Sequence, residues 1–169
     1  NGPNQPFVFS NGPGIAVDVD ITASKNEVWD LMTDINFGSK FSNEFVGANW
    51  DEESPSLKLG DTFTGRNQNE HIGEWTAKCT IDVLESGRLF GWCTGDVSTP
   101  GARWRYELYD LGGTIRVRHR VILGPGESGL TRIIAENPQN EAKIIRNRLS
   151  ALRHNMQMVL DGMKASLED

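Results

Sequence analysis

The chain has 169 residues, which suits one compact domain, and its apolar residues and glycines together reach a globular share that excludes disorder. Its 17 Lys and Arg against 23 Asp and Glu give a formal net charge of −6, which argues against nucleic acid and anionic membrane surfaces as partners. No apolar run approaches the roughly 18 residues of a membrane span, so we expect no spanning segment.

The amino-terminal part predicts a strand followed by a helix. Residues 1–12 are rich in turn-forming residues and are predicted to be a loose segment. From Ile15 to Ile21 apolar residues alternate with polar ones, which is the period of a half-buried strand. Ser24 and Glu27 have the spacing of a capping box, and apolar residues at helical spacing from Val28 to Ile35 predict a short amphipathic helix.

From residue 45 onward the pattern is that of consecutive antiparallel strands. Residues 45–50 are a candidate strand, and residues 51–60, with Pro55, are a predicted loop. Five further segments alternate apolar with polar residues, which predicts hairpins with an apolar inner face and a charged outer face. The predicted inward side chains are Phe63, Gly65, Asn67, Trp75, Ala77, Cys79, Ile81, Val83, Phe90, Trp92, Thr94, Ala102, Trp104, Tyr106, Leu108, Ile115, Val117, His119 and Val121.

Strand parity predicts the state of the two cysteines. Counting back from a turn at Ser86-Gly87 places Phe90 opposite Val83, with Cys79 on the inner face and Cys93 on the outer face. Two Cβ atoms on opposite faces of a sheet cannot be bridged, so both thiols are predicted to be free. The first ten residues carry no signal-peptide pattern, which favours a cytoplasmic protein, and the missing initial Met leaves a removed segment open.

The last hairpin carries a histidine inside and arginines outside. Counting about its turn places Trp104 opposite His119 on the inner face. Arginines occupy alternate positions from Arg116 to Arg120 on the outer face, and Asp18 and Asp20 can neutralise them if the first strand lies beside the last. This row is predicted to be a solvated ladder of ion pairs rather than an anion site.

The carboxyl-terminal part is predicted to be helical. Leu130–Glu136 is a candidate short helix, and Asn137 followed by Pro138 suits an N-cap and a first helical residue. From Gln139 to about Ser166 the pattern predicts one uninterrupted helix of about 42 Å. Its apolar stripe consists of Ala142, Ile145, Leu149, Leu152, Met156, Val159 and Met163.

Two local motifs suggest cofactors, and neither has the context it needs. Gly124–Gly129 spells the GxGxxG of dinucleotide-binding loops, but the strands are predicted to be antiparallel and a long helix follows instead of a parallel strand. His71 with Glu70 and Glu74 could hold a metal, but the three lie in a hairpin loop, where such residues usually serve solubility. We therefore expect no cofactor and no metal.

Two inward polar residues each have a structural and a functional interpretation. His119 is either a core histidine held by one hydrogen bond or a cavity-facing imidazole that moves protons near neutral pH. Asn67 is either a hairpin-end residue that caps backbone groups or a side chain that binds a ligand carbonyl. The sequence alone leaves both pairs of interpretations open.

The order of the elements predicts an α+β helix grip, in which a curved antiparallel sheet wraps around a long terminal helix, with one or two short helices after the first strand. Short motifs accompany this order: Ile21-Thr22-Ala23-Ser24 to Val28-Trp29, Asp34-Ile35, Glu44, Trp50, Gly60, Phe63-x-Gly65-x-Asn67, Trp75, Trp104-x-Tyr106, Gly112-Gly113-Thr114, and Gly129-Leu130 to Asn155-Met156. In these features the chain resembles the START-like SRPBCC superfamily, especially its polyketide cyclase/dehydrase-like bacterial members. The resemblance covers about Gly14–Lys164 and implies a single START-like ligand-binding domain in residues 1–169.

The resemblance implies a cavity that binds a hydrophobic, carbonyl-bearing, polyketide-like molecule, and it favours an enzyme that promotes cyclisation and dehydration of that molecule. His119 would be the acid/base, while Asn67 and Tyr106 would orient or polarise the carbonyl. A pocket arginine would be sought at Arg66, but strand parity places this residue on the outer face. The expected ligand-contacting residues are Phe63, Trp75, Phe90, Trp92, Trp104, Leu152 and Met156.

Two other classes of function stay open. A carrier or sequestering protein for a lipid-like or aromatic ligand, as in lipid transport, would use the same aromatic side chains without chemistry at His119. A protein-interaction subunit would need an exposed apolar patch, and none is evident in the sequence. We expect a monomer or a homodimer.

Overall fold

The computed structural model describes residues 7–53 and 57–168. Residues 1–6 of the predicted loose segment, and Pro55 of the predicted loop, lie outside the described residues, and Phe9–Asn11 forms a 3-10 turn. The other elements are β1 (Gly14–Ile21), α1 (Lys25–Met32), a 3-10 turn (Phe37–Lys40), β2 (Phe45–Trp50), β3 (Thr62–Asn69), β4 (Gly73–Glu85), β5 (Leu89–Thr94), β6 (Ala102–Asp110), β7 (Ile115–Leu123), α2 (Gly129–Glu136), a 3-10 turn (Pro138–Asn140) and α3 (Glu141–Glu168).

The described strands form one sheet in the order β1-β7-β6-β5-β4-β3-β2, and every neighbouring pair is antiparallel. The buried side of α3 packs against the inner face of this sheet, so the predicted helix grip is confirmed. Because β1 lies beside β7, two of the predicted ion pairs form on the outer face. Arg116 Nε lies 2.8 Å from Asp20 Oδ1, and Arg118 Nε lies 2.8 Å from Asp18 Oδ1.

The pairing of β6 with β7 differs from the prediction by two residues. Tyr106, rather than Trp104, lies opposite His119. The turn is shorter than the prediction assumed, because Asp110 already pairs with Ile115. A shift of two positions preserves side-chain parity, so the two rings and the imidazole stay on the inner face as predicted.

A β-bulge changes the inner face of β4. Trp92 lies opposite Ile81 as predicted. Beyond this pair β4 contains one extra residue, so Phe90 lies opposite Leu84 and not opposite Val83. The prediction that Val83 faces inward is therefore wrong, because the extra residue turns it outward and brings Leu84 to the inner face.

The long helix α3 begins later than predicted. Pro138–Asn140 forms a 3-10 turn, and the regular helix starts at Glu141. The expectation that Asn137 caps this helix is wrong, because its side-chain amide donates to the carbonyl of Ile133 and closes the end of α2 instead. The buried side of α3 comprises Ile145, Leu149, Leu152, Met156, Val159, Leu160, Gly162 and Met163.

The segment Phe37–Phe45 fastens α3 to the sheet. The ring of Phe41 lies so close to Gly162 that a Cβ at this glycine would come within 2.5 Å of a ring carbon. The amide of Asn43 donates to the side-chain oxygen of Asn155 at 2.7 Å. These contacts hold the start of β2 against the middle of α3.

The structure also bears on the predictions for the glycine-rich segment, for the cysteines and for membrane-spanning helices. Gly124–Gly129 is the connection from β7 to α2, and no parallel strand pair occurs in the described sheet, so the dinucleotide-binding arrangement does not form here. Cys79 and Cys93 are buried free thiols, as predicted. No described helix is both long and apolar enough to cross a membrane.

Candidate functional site

Aromatic rings on the inner face of the sheet form one cluster, and we call the six rings contributed by β3, β5, β6 and β7 the aromatic wall. Trp50 of β2 extends the cluster, with its ring centroid 5.6 Å from that of Phe63. Trp92 lies in the middle of the aromatic wall, because its strand β5 is flanked by β4 and β6. Its ring centroid is 5.5 Å from that of Phe90 and 6.1 Å from that of Trp104, and the two indoles are stacked. These are spacings of interacting aromatic pairs. The aromatic wall consists of Phe63, Phe90, Trp92, Trp104, Tyr106 and His119.

His119 is a buried imidazole that uses one of its two nitrogens. Its ring stacks on Tyr106 at a centroid distance of 3.8 Å, and Nδ1 lies 2.9 Å from the carbonyl oxygen of Arg105. Because a carbonyl only accepts hydrogen bonds, Nδ1 carries the proton and Nε2 keeps its lone pair. Burial lowers the pKa of His119 to about 4, so the imidazole is neutral near pH 7.

Tyr106 is the second neutral polar group of the aromatic wall. Its side chain is buried, and burial raises the pKa of its phenol above the ordinary value. Among the hydrogen bonds of the described residues, none involves the Tyr106 hydroxyl or Nε2 of His119. The aromatic wall therefore offers one O–H donor and one nitrogen acceptor to a bound molecule.

The aromatic wall opens to solvent toward one end of the sheet. Trp92 and Trp104 face inward but are only partly buried, whereas Phe90, Tyr106 and His119 are at most 9% exposed. The two indoles lie on the side of the β5–β6 loop, one inward position beyond Phe90 and Tyr106. The indoles therefore form the partly exposed end of the aromatic wall, and the phenol and the imidazole form its buried end.

The helices present apolar side chains to the same core. Leu152 and Met156 of α3, both predicted to contact the ligand, are buried together with Phe90 and Tyr106. The short helix α2 adds Ile134, which packs against the core but stays partly exposed. The helical side of the site is therefore apolar as well, and α2 closes it incompletely.

Asn67 and Trp75 form a separate pair. They lie opposite each other on β3 and β4. The pairing of β5 with β4 begins only at Cys79, so this part of the hairpin extends beyond the end of β5. The structure does not bring Asn67 together with Tyr106 and His119, because β4 and β5 separate it from the strand of the tyrosine.

The ion pair between Glu44 and Arg148 was not predicted from the sequence. Glu44, just before β2, accepts two hydrogen bonds from Arg148 of α3, at 2.8 and 2.6 Å, and both side chains are largely buried. The two residues are 104 positions apart, and no local pattern links them. Arg66 lies on the outer face, as parity predicted, and donates to the side-chain oxygen of Asn49.

The described surface also carries two shallow depressions. One, of about 260 Å³, follows the outer edge of β1 and β7, and the other, of about 490 Å³, lies between β1 and Lys164 of α3. Neither borders the aromatic wall, and the hollow chamber that the resemblance implies is not among them. Within the described residues, no group of three or more His, Cys, Asp or Glu side chains is arranged to hold a metal ion.

Comparisons with known proteins bear on the fold. No protein-family model and no curated protein matches the sequence. Among solved structures, the Polyketide_cyc-like protein Cgl2372 of Corynebacterium glutamicum is 23% identical over 89% of this chain and 88% of that protein, with a TM-score of 0.62. The chain has the helix-grip fold of polyketide cyclase-like proteins. The resemblance in fold that the sequence suggested is thereby confirmed.

Two further structures share this helix-grip fold at lower identity. The aromatase/cyclase Zhui of Streptomyces sp. R1128 is 12% identical over 92% of this chain and 93% of that protein, with a TM-score of 0.62. The two-domain aromatase/cyclase BexL of the BE-7585A biosynthetic pathway is 14% identical over 95% of this chain, with a TM-score of 0.67. The chain spans about half of BexL, 53% of its length. Identities this low establish the fold alone.

Proposed function

We propose that the protein binds a hydrophobic, carbonyl-bearing small molecule of the polyketide class against the aromatic wall and promotes its cyclisation with loss of water. One observation carries the proposal: two neutral polar groups, Tyr106 Oη and His119 Nε2, lie in an otherwise apolar ring cluster without partners of their own among the described residues. The solved aromatase/cyclases of the same fold support this class of reaction.

The two groups suit an aldol closure followed by dehydration. The Tyr106 hydroxyl donates to a ligand carbonyl oxygen and stabilises negative charge that develops there. Nε2 of His119 takes a proton from the carbon between two carbonyls, and this carbon then forms a bond with a second carbonyl carbon of the chain. The imidazolium returns this proton to the new alkoxide oxygen, which becomes a hydroxyl group. In the dehydration, Nε2 removes the second proton of the same carbon, a carbon–carbon double bond forms, and the imidazolium protonates the hydroxyl group as it leaves as water.

The remaining predicted residues take positioning roles in this proposal. Trp92 and Trp104 hold the flat part of the ligand, while Leu152 and Met156 face it from α3. Asn67, on the extended β3–β4 hairpin, orients a carbonyl at the far end of a long ligand rather than at the reacting carbon.

A non-catalytic carrier is the second candidate. Its support is that His119 already has a structural hydrogen bond, to the carbonyl of Arg105, and that its low pKa makes it a weak base. A carrier for an aromatic or lipid-like molecule needs the ring surface and no proton transfer. The two functions therefore differ in what His119 does and share everything else.

The test separates binding from turnover. Binding of an anthraquinone is followed by quenching of tryptophan fluorescence, and turnover of a synthetic tetraketide thioester is followed by mass spectrometry as loss of one water. We expect His119→Phe to lower turnover by about 100-fold or more while anthraquinone affinity changes little. His154→Phe, at an exposed position on α3, is the matched control and leaves both unchanged.

The outcomes distinguish the two candidates. Undiminished turnover in His119→Phe contradicts the acid/base role. Binding of the anthraquinone by the wild type without any turnover supports the carrier instead. Native mass spectrometry of freshly purified protein adds an independent readout, because a retained polycyclic aromatic favours the biosynthetic role and a retained fatty acid the carrier.

A further inference from the structure

The inward positions around the aromatic wall carry no charge. Strand parity and the observed registers place uncharged side chains at the inward positions of the described strands β3 to β7, except for Asp110, which lies opposite Ile115 at the end of β6, three inward positions beyond Trp104, and is exposed. The titratable groups among the uncharged ones, Cys79, Tyr106 and His119, are neutral at pH 7. The remaining inward residues are Phe63, Gly65, Asn67, Asn69, Gly73, Trp75, Ala77, Ile81, Leu84, Phe90, Trp92, Thr94, Ala102, Trp104, Leu108, Ile115, Val117, Val121 and Leu123.

The arginines of the sheet lie on the opposite face, where most are already paired. The guanidinium of Arg105 lies 3.0 Å from the Asp82 carboxylate, and Arg120 lies 3.4 Å from that of Glu107. Together with the two ion pairs between β7 and β1, these contacts hold four arginines on the outer side. None of the four can reach a ligand through the sheet.

Arg148 is the cation that α3 brings beside its apolar stripe. Glu44 accepts hydrogen bonds from this guanidinium through both carboxylate oxygens, so each charge already has its partner. An anionic ligand would have to displace the Glu44 carboxylate, leaving a largely buried negative charge without its partner.

We infer that the part of the ligand seated against the aromatic wall is electrically neutral and that the site rejects molecules carrying a carboxylate or phosphate at this position. The inference rests on the proposed function and names its substrate class. Burying an anion without a counter-charge is strongly unfavourable, whereas a carbonyl or hydroxyl group finds a donor at Tyr106 and an acceptor at His119.

The test uses two probes of the same shape and different charge, anthraquinone-2-carboxamide and anthraquinone-2-carboxylate. At pH 7.5 we expect the carboxamide to bind, and we expect the affinity of the carboxylate to be lower by at least about 100-fold. Tryptophan quenching and calorimetry measure both affinities. Equal affinities overturn the inference and leave the proposed function standing. Failure of both probes to bind contradicts the proposed function, and the inference falls with it.

A matched pair of variants locates the effect. Thr94→Lys adds a cation at a partly buried inward position next to the indoles, and Thr80→Lys adds the same charge on the outer face of the neighbouring strand. We expect Thr94→Lys to reduce the preference for the carboxamide at least about 10-fold, and Thr80→Lys to leave it unchanged. Equal effects of the two substitutions overturn the inference, because the discrimination then arises from overall charge. Circular dichroism establishes that both variants are folded.

Discussion

The neutral state of His119 makes the stability of the protein depend on pH in a defined direction. The unfolded chain binds a proton at this imidazole with a pKa near 6.5, whereas burial holds the pKa in the folded state at about 4. Between these values the unfolded state binds more protons than the folded state. The free energy of unfolding therefore has its full contribution from neutral His119 above pH 6.5. This contribution is lost progressively as the pH falls toward 4, and it is absent below that value.

The size of the effect follows from the two pKa values. Their separation corresponds to about 3 kcal/mol in the free energy of unfolding over the whole range, and to about 2 kcal/mol between neutral pH and pH 5. Carboxyl groups titrate mostly below this window, so they contribute little to it. His119→Phe removes the titrating group and keeps a ring of similar size, but it leaves the Arg105 carbonyl without its partner, which costs about 1–3 kcal/mol at every pH.

Urea unfolding at several pH values between 5 and 7 measures this dependence. The wild type is expected to lose stability toward pH 5, and His119→Phe is expected to be less stable at pH 7 and nearly independent of pH. His154→Gln, at an exposed position, controls for the other histidines and retains the wild-type slope. If wild type and His119→Phe lose stability in parallel, His119 is not buried in its neutral form and the reasoning fails.

Two further predictions concern packing and thiol chemistry. Gly162→Ala places a Cβ within about 2.5–2.6 Å of the Phe41 ring, so it is expected to lower the free energy of unfolding by about 1–2 kcal/mol. Gly129→Ala is the control, because open space surrounds this glycine, and it is expected to change the free energy of unfolding little. Thermal unfolding compares the two variants with the wild type. Burial raises the pKa of Cys79 to about 12 and that of Cys93 above its ordinary value, so neither thiol should react with an aromatic disulfide reagent at pH 8 until the chain unfolds, and fast labelling of the native protein would contradict their burial.

Local signals in the sequence were sufficient where one short segment determines the structure. Ser24 and Glu27 exchange the two hydrogen bonds of a capping box, and α1 begins at the next residue, Lys25. The strand Phe45–Trp50 has the predicted bounds. In each case the residues that define the element are neighbours in the chain, so no distant contact has to be known.

Side-chain parity is more robust than strand register. The β6–β7 pairing differs from the prediction by two positions, which leaves Trp104 and His119 on the inner face although they are not opposite each other. The bulge in β4 differs by one position and therefore exchanges Val83 for Leu84 on that face. A bulge has no marker in the sequence here, because both residues are aliphatic and either one suits a core position.

Contacts between distant segments could be predicted only where strand pairing implied them, as for Asp18 and Asp20 with the arginines of β7. Other distant contacts were missed. The Glu44–Arg148 pair depends on how the segment before β2 crosses α3, and the motifs that carry the family resemblance do not indicate that these two residues meet. The grouping of Asn67 with Tyr106 and His119 assumed that inward position implies proximity. The β3–β4 hairpin extends past the end of β5, so Asn67 lies in a different part of the inner face from Tyr106 and His119.

The low pKa of His119 limits the chemistry that the aromatic wall can promote. A base whose conjugate acid has a pKa of about 4 removes protons efficiently only from acidic carbon, and a carbon between two carbonyls is far more acidic than one beside a single carbonyl. A carrier does not distinguish a 1,3-dicarbonyl compound from a matched monoketone, because ring stacking is the same for both. Turnover confined to 1,3-dicarbonyl chains, with equal binding of matched monoketones, therefore fits the enzyme, and turnover of monoketones at a similar rate contradicts His119 as the base.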